Sequence, residues 1–497
     1  MTSMSPNYSY LEQLPVQAVS AFSPDALHVL GCQPAATLSD TGDRDVQLLA
    51  TDLPANIITA LQSEIKACGW QAKRDSLHVV ADGVRFLLVP TNTRTTSTTQ
   101  AFRQVGLQAA HRLSKMSIAK LTICSNAALA VFDGLIMGLY KHKFNAKPLR
   151  LPAEIAIFTP KPSSIAAAIH KHRALALAIT YARSLQDLPP NYLHAPRLAS
   201  IVQEISTKHN LACEVHDQEQ LQKLGMGALL AVAQGAQHEP RMLALKVQGK
   251  SKRLVVLVGK GITFDTGGMD LKRRDMEEMK YDMSGAAAVL GAMHYFAQVQ
   301  PDATVVGIVG AAENAISSQA TRPSDIITAY NGKSIEILDT DAEGRLLLAD
   351  LLAYAAKVYQ PDLLVNIATL TGSVAYALGR VGAGFYSNSE SAAELLLRAS
   401  ARAGEPFCQL PIWDEVQEMV ASKHADWVNI DATHTESDGM FAAGFLHKFS
   451  AACEWLHLDI AGTASDCRAT GFPSKGGCAY GLRTFVELCA DSTGIVA

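Results

Sequence analysis

Arg253-Leu-Val-Val-Leu-Val258 reads directly into Gly259-Lys260-Gly-Ile-Thr-Phe-Asp265-Thr-Gly-Gly268. An aliphatic run without polar alternation is the signature of a strand buried on both faces. Working outward, Met283 to Val299 reads as a helix and Ala303-Thr-Val-Val-Gly-Ile-Val309 as a second buried strand. Leu346 to Val358 reads as a helix, and Leu363-Leu-Val-Asn-Ile-Ala368 as a third buried strand. Such strands separated by helices predict an α/β fold with a mostly parallel central sheet flanked by helices.

The first ~150 residues follow a looser rhythm, consistent with a smaller N-terminal α/β domain. Strand-like runs begin at Val46, Ser76 and Val84, and Phe102 to Leu113 is an amphipathic helix. Pro160 to Ser164 marks a hinge. Ser164 to Gln186 then reads as one Ala-rich helix that stops before Leu188-Pro-Pro-Asn. The expected organisation is an N-terminal domain over 1–160, a linking helix over 161–187 and a larger domain over 188–497.

With 497 residues the chain exceeds what one core usually holds, which also favours two domains. A net charge of −4 provides no global basic field for nucleic acid or anionic lipid. The longest apolar stretch, Ala127 to Tyr140, is interrupted by Asp133 and is too short to span a bilayer. The nine cysteines form no Cys-x-x-Cys pair, so reduced thiols are expected. The first 24 residues have neither Lys nor Arg nor an apolar core of a signal peptide. These features predict a soluble, cytoplasmic protein.

The chemistry is concentrated in two segments. One is the glycine-rich stretch with Lys260 and Asp265, followed by Lys272 and Asp282. The other is Asp339-Thr-Asp341-Ala-Glu343-Gly-Arg345, placed before an apolar helix. Lys260 and Asp265 are expected just beyond a strand ending at Val258, with Gly259, Gly261, Gly267 and Gly268 bending the backbone around a ligand. Asp265, Asp282, Asp341 and Glu343 together carry four negative charges, which two divalent cations would cancel. Without cations, such a cluster would repel and tend to protonate. Two metals ~3.5–4 Å apart can activate water for hydrolysis, and Lys272 and Arg345 would supply positive charge to the transition state. Simpler readings stand beside these. Asp282 and Asp341 are also what a helix cap requires, Lys272 suits a solvated loop, and His457 suits a packed core. His434-Thr-Glu436 is not a zinc-binding His-Glu-x-x-His motif, and Gly259-Lys260 does not complete a P-loop.

Val258–Gly268, Tyr281-Asp-Met-Ser-Gly-Ala286 and Thr340–Leu346 resemble the signature segments of the leucyl (cytosol) aminopeptidase family of dinuclear metallo-exopeptidases. Ala368–Gly372 and His457–Gly462 are similar to further family segments. The resemblance runs from about residue 180 to the C-terminus and makes 188–497 the expected catalytic domain. It implies one metal held by Asp265, Asp341 and Glu343, and another held by Lys260, Asp265, Asp282 and Glu343, with Lys260 neutral. The ions would be zinc or manganese, with magnesium and cobalt as alternatives. Lys272 would polarise the scissile carbonyl, and Arg345 would hold a bicarbonate-like anion as general base. Met279, Thr369, Gly372 and Ala461 match side-chain pocket positions, implying preference for leucine or another apolar first residue. The substrates would be peptides with a free N-terminus, and the assembly a homohexamer built as a dimer of trimers.

Three departures stand out. Asp339 replaces a usual Asn, the segment from Lys272 to Asp282 is one residue shorter than the family pattern, and Ala464 is small for its pocket position. The rival reading is a DNA-binding or structural relative with secondary peptidase activity. The overall charge and the full set of candidate ligands weigh against it.

Overall fold

The computed structural model describes residues 14–490 apart from 21–22, 24–25, 39–43, 49–52, 69–75, 82–83, 91–97, 115, 117, 126, 142–151, 160, 432–437 and 451. His434-Thr-Glu436 therefore lies outside the described residues.

The larger sheet has eight strands in the order Phe407–Gln409, Ala383–Ser387, Trp455–Asp459, Leu363–Ala368, Leu254–Asp265, Thr304–Asn314, Arg241–Val247 and Ala212–His216. The four strands from Trp455–Asp459 to Thr304–Asn314 are mutually parallel. Antiparallel pairing appears only outside them. Helices Ser284–Phe296 and Glu343–Tyr359 seed the two main cores, one on each face of the sheet. Val255 and Leu257 belong to the first core and Val256 and Val258 to the second, as period-two alternation in a doubly covered strand requires.

The central strand does not end at Val258 but continues to Asp265, with a register irregularity between Ile262 and Asp265. The reason lies in two of its glycines. A Cβ at Gly259 would stand 2.8 Å from Ala286 Cα, and one at Gly261 would stand 2.4 Å from the Gly310 carbonyl. These glycines let a helix and a neighbouring strand approach closely; they do not turn the chain. The turn comes at Gly267 and Gly268, whose φ values of +87° and +64° suit glycine.

The N-terminal sheet has the strand order Val16–Val19, Glu154–Phe158, Lys120–Cys124, Ala26–Leu38, Val84–Pro90, Leu77–Ala81, with Arg44–Leu48 paired to Ala26–Leu38. Pro162–Asp187 is one helix of 26 residues, with Pro at its start. Ile169, Ala176 and Leu177 pack in the N-terminal core, whereas Ala178, Ala182 and Leu185 pack in the core of the larger sheet. The helix thus belongs to both cores.

Apolar Ala128–Leu139 is a buried helix whose Asp133 accepts from His172 Nδ1 at 2.9 Å. No helix among the described residues is long and apolar enough to cross a membrane. The eight cysteines with described side chains are free.

Candidate metal centre

The carboxyl ends of the four parallel strands converge, where α/β sheets place their ligands. Asp265 ends one strand, Asn314 the next, Thr369 follows a third directly, and Asp459 ends the fourth. Glu343 and Arg345 enter from the first turn of the helix Glu343–Tyr359, and Asp282 from the junction between the 3-10 turn Met276–Tyr281 and the helix Ser284–Phe296.

Carboxylate oxygens of Asp265, Asp282 and Glu343 lie within 4.8 Å of one another, and all three residues are buried. Lys260 Nζ donates to Asp282 Oδ1 at 2.7 Å and to the Thr369 carbonyl at 3.0 Å, and stands 2.8 Å from Glu343 Oε1. Lys272 Nζ lies 2.8 Å from Asp265 Oδ2 and 2.5 Å from Asp341 Oδ1. Lys272 is therefore not a solvated loop lysine.

Neither acid serves as a helix N-cap. The N-cap positions are Met283 and Ala342, and neither Asp282 nor Asp341 supplies a capping hydrogen bond. Asp282 faces Lys260 and Thr369 Oγ1 instead, the latter at 2.8 Å.

Electrostatics explain why this cluster calls for cations. Burial, reinforced by the Asp265 charge, pushes Asp341 up to about 7 against the pull of Lys272. Burial also raises Glu343 and Asp282 above the ordinary carboxylate range. Asp282 Oδ2 is buried with no hydrogen-bond partner. Burial pushes Lys260 down, but Asp282, Glu343 and Asp265 more than offset it and hold the amine charged. A neutral Lys260, as the family resemblance implies, thus requires other positive charge among these acids. Four carboxylates, one orphaned oxygen and only two ammonium groups form a donor set that fits divalent ions.

One cleft of about 900 Å³ collects the whole set. It is lined by Lys260, Asp265, Lys272, Asp282, Asp341, Glu343 and Arg345, and also by Met279, Thr369, Gly372 and Ala461. Despite the shortened segment, Lys272 and Met279 both reach it. Ala464 lines it too.

The chain matches the catalytic domain of the cytosol aminopeptidase family over residues 180–486. The chain belongs to that family. A probable cytosol aminopeptidase of Roseiflexus castenholzii is 37% identical over 429 residues, which cover 82% of this chain and 87% of the relative. A second, from Syntrophotalea carbinolica, is 34% identical over 493 residues, covering 93% and 99%. The structure of a bottromycin maturation enzyme, BotP, in complex with Mn superposes with a TM-score of 0.80 at 30% identity, covering 94% of this chain and 99% of that one. Membership places the chain among metal-dependent aminopeptidases.

Several residues outside the expected site set position these side chains. Asn314 Nδ2 donates to Asp265 Oδ1 at 2.8 Å and to the Thr340 carbonyl at 3.0 Å. Thr340 and Asp270 bond reciprocally, tying the Gly267–Lys272 turn to the acidic loop. Buried Asp459, pushed up to about 6 by desolvation, accepts from Thr371 Oγ1, Leu370 N and Ala461 N, and so fixes the pocket loops. Asp339 does not join the cluster. Its Oδ1 accepts from Asp341 N at 2.7 Å. Asn314 and Asp459 were open to inference, since each ends a strand of the parallel set.

His457 is the packed core residue that its sequence setting suggests. Its Nδ1 accepts from Asn366 Nδ2 at 2.8 Å, its ring stacks with Tyr386 and Trp455, and burial drives it down to about 3.

The Arg345 guanidinium donates to Asp438 Oδ1 at 2.5 Å and to the Asn429 carbonyl at 2.9 Å.

Proposed function

We propose that this chain is a two-metal aminopeptidase that removes leucine and other apolar residues from the N-terminus of peptides. The observation that carries the reading is the convergence of four carboxylates and two lysines at the strand ends, beside a pocket lined by Met279 and small residues. Asp265, Asp341 and Glu343 would hold one ion, and Lys260, Asp265, Asp282 and Glu343 the other. Manganese, present in the structurally similar BotP, and zinc both suit this donor set. When bound, the pair would supply a water acidic enough to ionise near neutral pH and a Lewis acid for the carbonyl oxygen.

The remaining roles belong to the chain. Lys272, only partly exposed beside Asp265 and Asp341, would donate to the oxygen that becomes negative as the carbonyl carbon turns tetrahedral. Asp459 holds the loops bearing Thr369, Gly372 and Ala461, which orient the first residue of the substrate. Ala461, Ala464 and Gly372 leave room for an aliphatic side chain, and Met279 offers an adaptable apolar wall. A free α-amine would be recognised within the acidic cluster, which confines cleavage to chain ends. The homohexamer is part of the same proposal and is read by sedimentation.

The test is a panel of aminoacyl p-nitroanilides, free and N-acetylated, assayed after chelation and re-addition of manganese or zinc. Turnover should vanish on chelation, return with metal at two ions per subunit and favour free leucyl substrates. Equal cleavage of N-acetylated substrates, or fewer than two ions in active protein, would overturn the reading.

A further inference from the structure

Arg345 is 2% exposed in the first turn of the helix Glu343–Tyr359, with the Phe441 ring 5.9 Å from its guanidinium carbon. A guanidinium so buried requires an anion, because an unpaired buried charge is strongly unfavourable. The chain supplies one. Asp438 opens the helix Asp438–His447, its carboxylate lies 2.5 Å from Arg345 Nη2, and its side chain is 39% exposed where it lines the cleft. The second partner, the Asn429 carbonyl, is neutral and cannot balance the charge. An external monovalent anion at Arg345 would therefore have to displace a carboxylate already held at high effective concentration, leaving Asp438 unpaired.

Resting on the aminopeptidase reading, we propose that Asp438 is the anion Arg345 presents to the reaction and that it acts as the base, replacing a bound bicarbonate. The Asp438 carboxylate takes one proton from water while the water oxygen bonds to the scissile carbonyl carbon. As the C–N bond breaks, that proton passes to the departing nitrogen, and the carboxylate is restored. Arg345 is the positioning residue and keeps the carboxylate oriented in the cleft. An acid at a helix N-terminus also suits the helix dipole. Asp438→Asn can still accept a hydrogen bond from Arg345 but cannot take a proton, so a purely structural Asp438 would leave its kcat near normal.

The experiment uses full-length wild type, Asp438→Ala and Asp438→Asn, reconstituted with manganese and assayed in CO2-depleted buffer with and without millimolar bicarbonate. Wild-type turnover should not respond to bicarbonate. Both variants should still fold, with Asp438→Ala lowered in thermal midpoint because it leaves Arg345 unpaired and Asp438→Asn lowered less, and both should lose roughly 100-fold or more in kcat, the size of a general-base contribution. Bicarbonate should restore Asp438→Ala by roughly ten-fold, since the vacated guanidinium can then hold it. NMR line broadening of 13C-bicarbonate on metal-free protein should show saturable binding to Asp438→Ala and none to wild type. Wild-type stimulation or binding by bicarbonate, or near-normal kcat in either variant, would overturn the proposal. If reconstituted wild type cleaved no aminoacyl amide, the aminopeptidase reading would fall, and the labelled-bicarbonate comparison would still decide the Arg345–Asp438 pairing.

Discussion

Gly344 lies between Glu343 and Arg345, and its missing side chain has a measurable consequence. A Cβ built there would stand 2.6 Å from Lys260 Cε, 2.7 Å from Nζ and 2.8 Å from Cδ. Ordinary contacts begin near 3.4 Å, so Gly344→Ala must drive the end of Lys260 away by close to an ångström. That shift breaks the geometry of the 2.7 Å bond to Asp282, the 2.8 Å contact to Glu343 and the 3.0 Å bond to the Thr369 carbonyl. Losing one charged hydrogen bond costs about 1.5–3 kcal/mol. Alanine in place of glycine within a helix returns about 1 kcal/mol. With the three contacts together weakened by the worth of one such bond, the fold should lose only ~0.5–2 kcal/mol, a shift of a few degrees in Tm. Activity should suffer far more, by about 100-fold in kcat, as an ångström of misplacement at a reaction centre implies. Calorimetry, metal analysis and leucyl-p-nitroanilide turnover on the same preparation separate the two effects. A Gly344→Ala enzyme with full metal content and wild-type turnover would refute the role given to Lys260 and the need for glycine beside it.

Lys272→Ala should keep both metals yet lose about 100- to 1,000-fold in kcat, as for removal of an oxyanion donor; metal analysis with steady-state kinetics checks it, and loss of metal would point to a structural role. Asn314→Ala removes the donor that orients Asp265 Oδ1, so metal affinity should fall about 10- to 100-fold with the fold intact, as read by competition with a chelator. His457 titrates near 3 in the folded chain against 6.5 unfolded, so its contribution is present above 6.5 and is lost as pH falls. Between pH 6.5 and 5 it should cost about 2 kcal/mol. Urea denaturation at the two pH values should show that much less acid sensitivity in His457→Gln than in wild type, and equal sensitivity would contradict the burial argument.

The parallel core of the larger domain was legible because its strands are long aliphatic runs covered on both faces, such as Leu254–Val258 and Leu363–Ala368. Strands outside the parallel set were not. Ala212-Cys-Glu-Val-His216 is half-exposed and carries mixed polarity, so its periodicity is weak. The N-terminal strands Lys120–Cys124 and Glu154–Phe158 are five residues each, too short to stand out from turns and helix ends. The acidic cluster was visible because several acids close together, accompanied by lysine and arginine, are unfavourable unless they share a ligand.

By itself, the sequence determined the α/β class, the long linking helix and the candidate acids and cations, since these follow from local periodicity and from the energetic cost of crowding like charges. The tertiary structure alone decided the strand order that brings Asp265, Asn314, Thr369 and Asp459 to one edge. It also turned Asp339 toward a backbone N–H, and set Asp438 against Arg345 across 93 residues of chain. The physical reason is range. A strand or a charge cluster is encoded within a few neighbouring residues, whereas strand order and the partner of a buried guanidinium depend on how distant segments share one core.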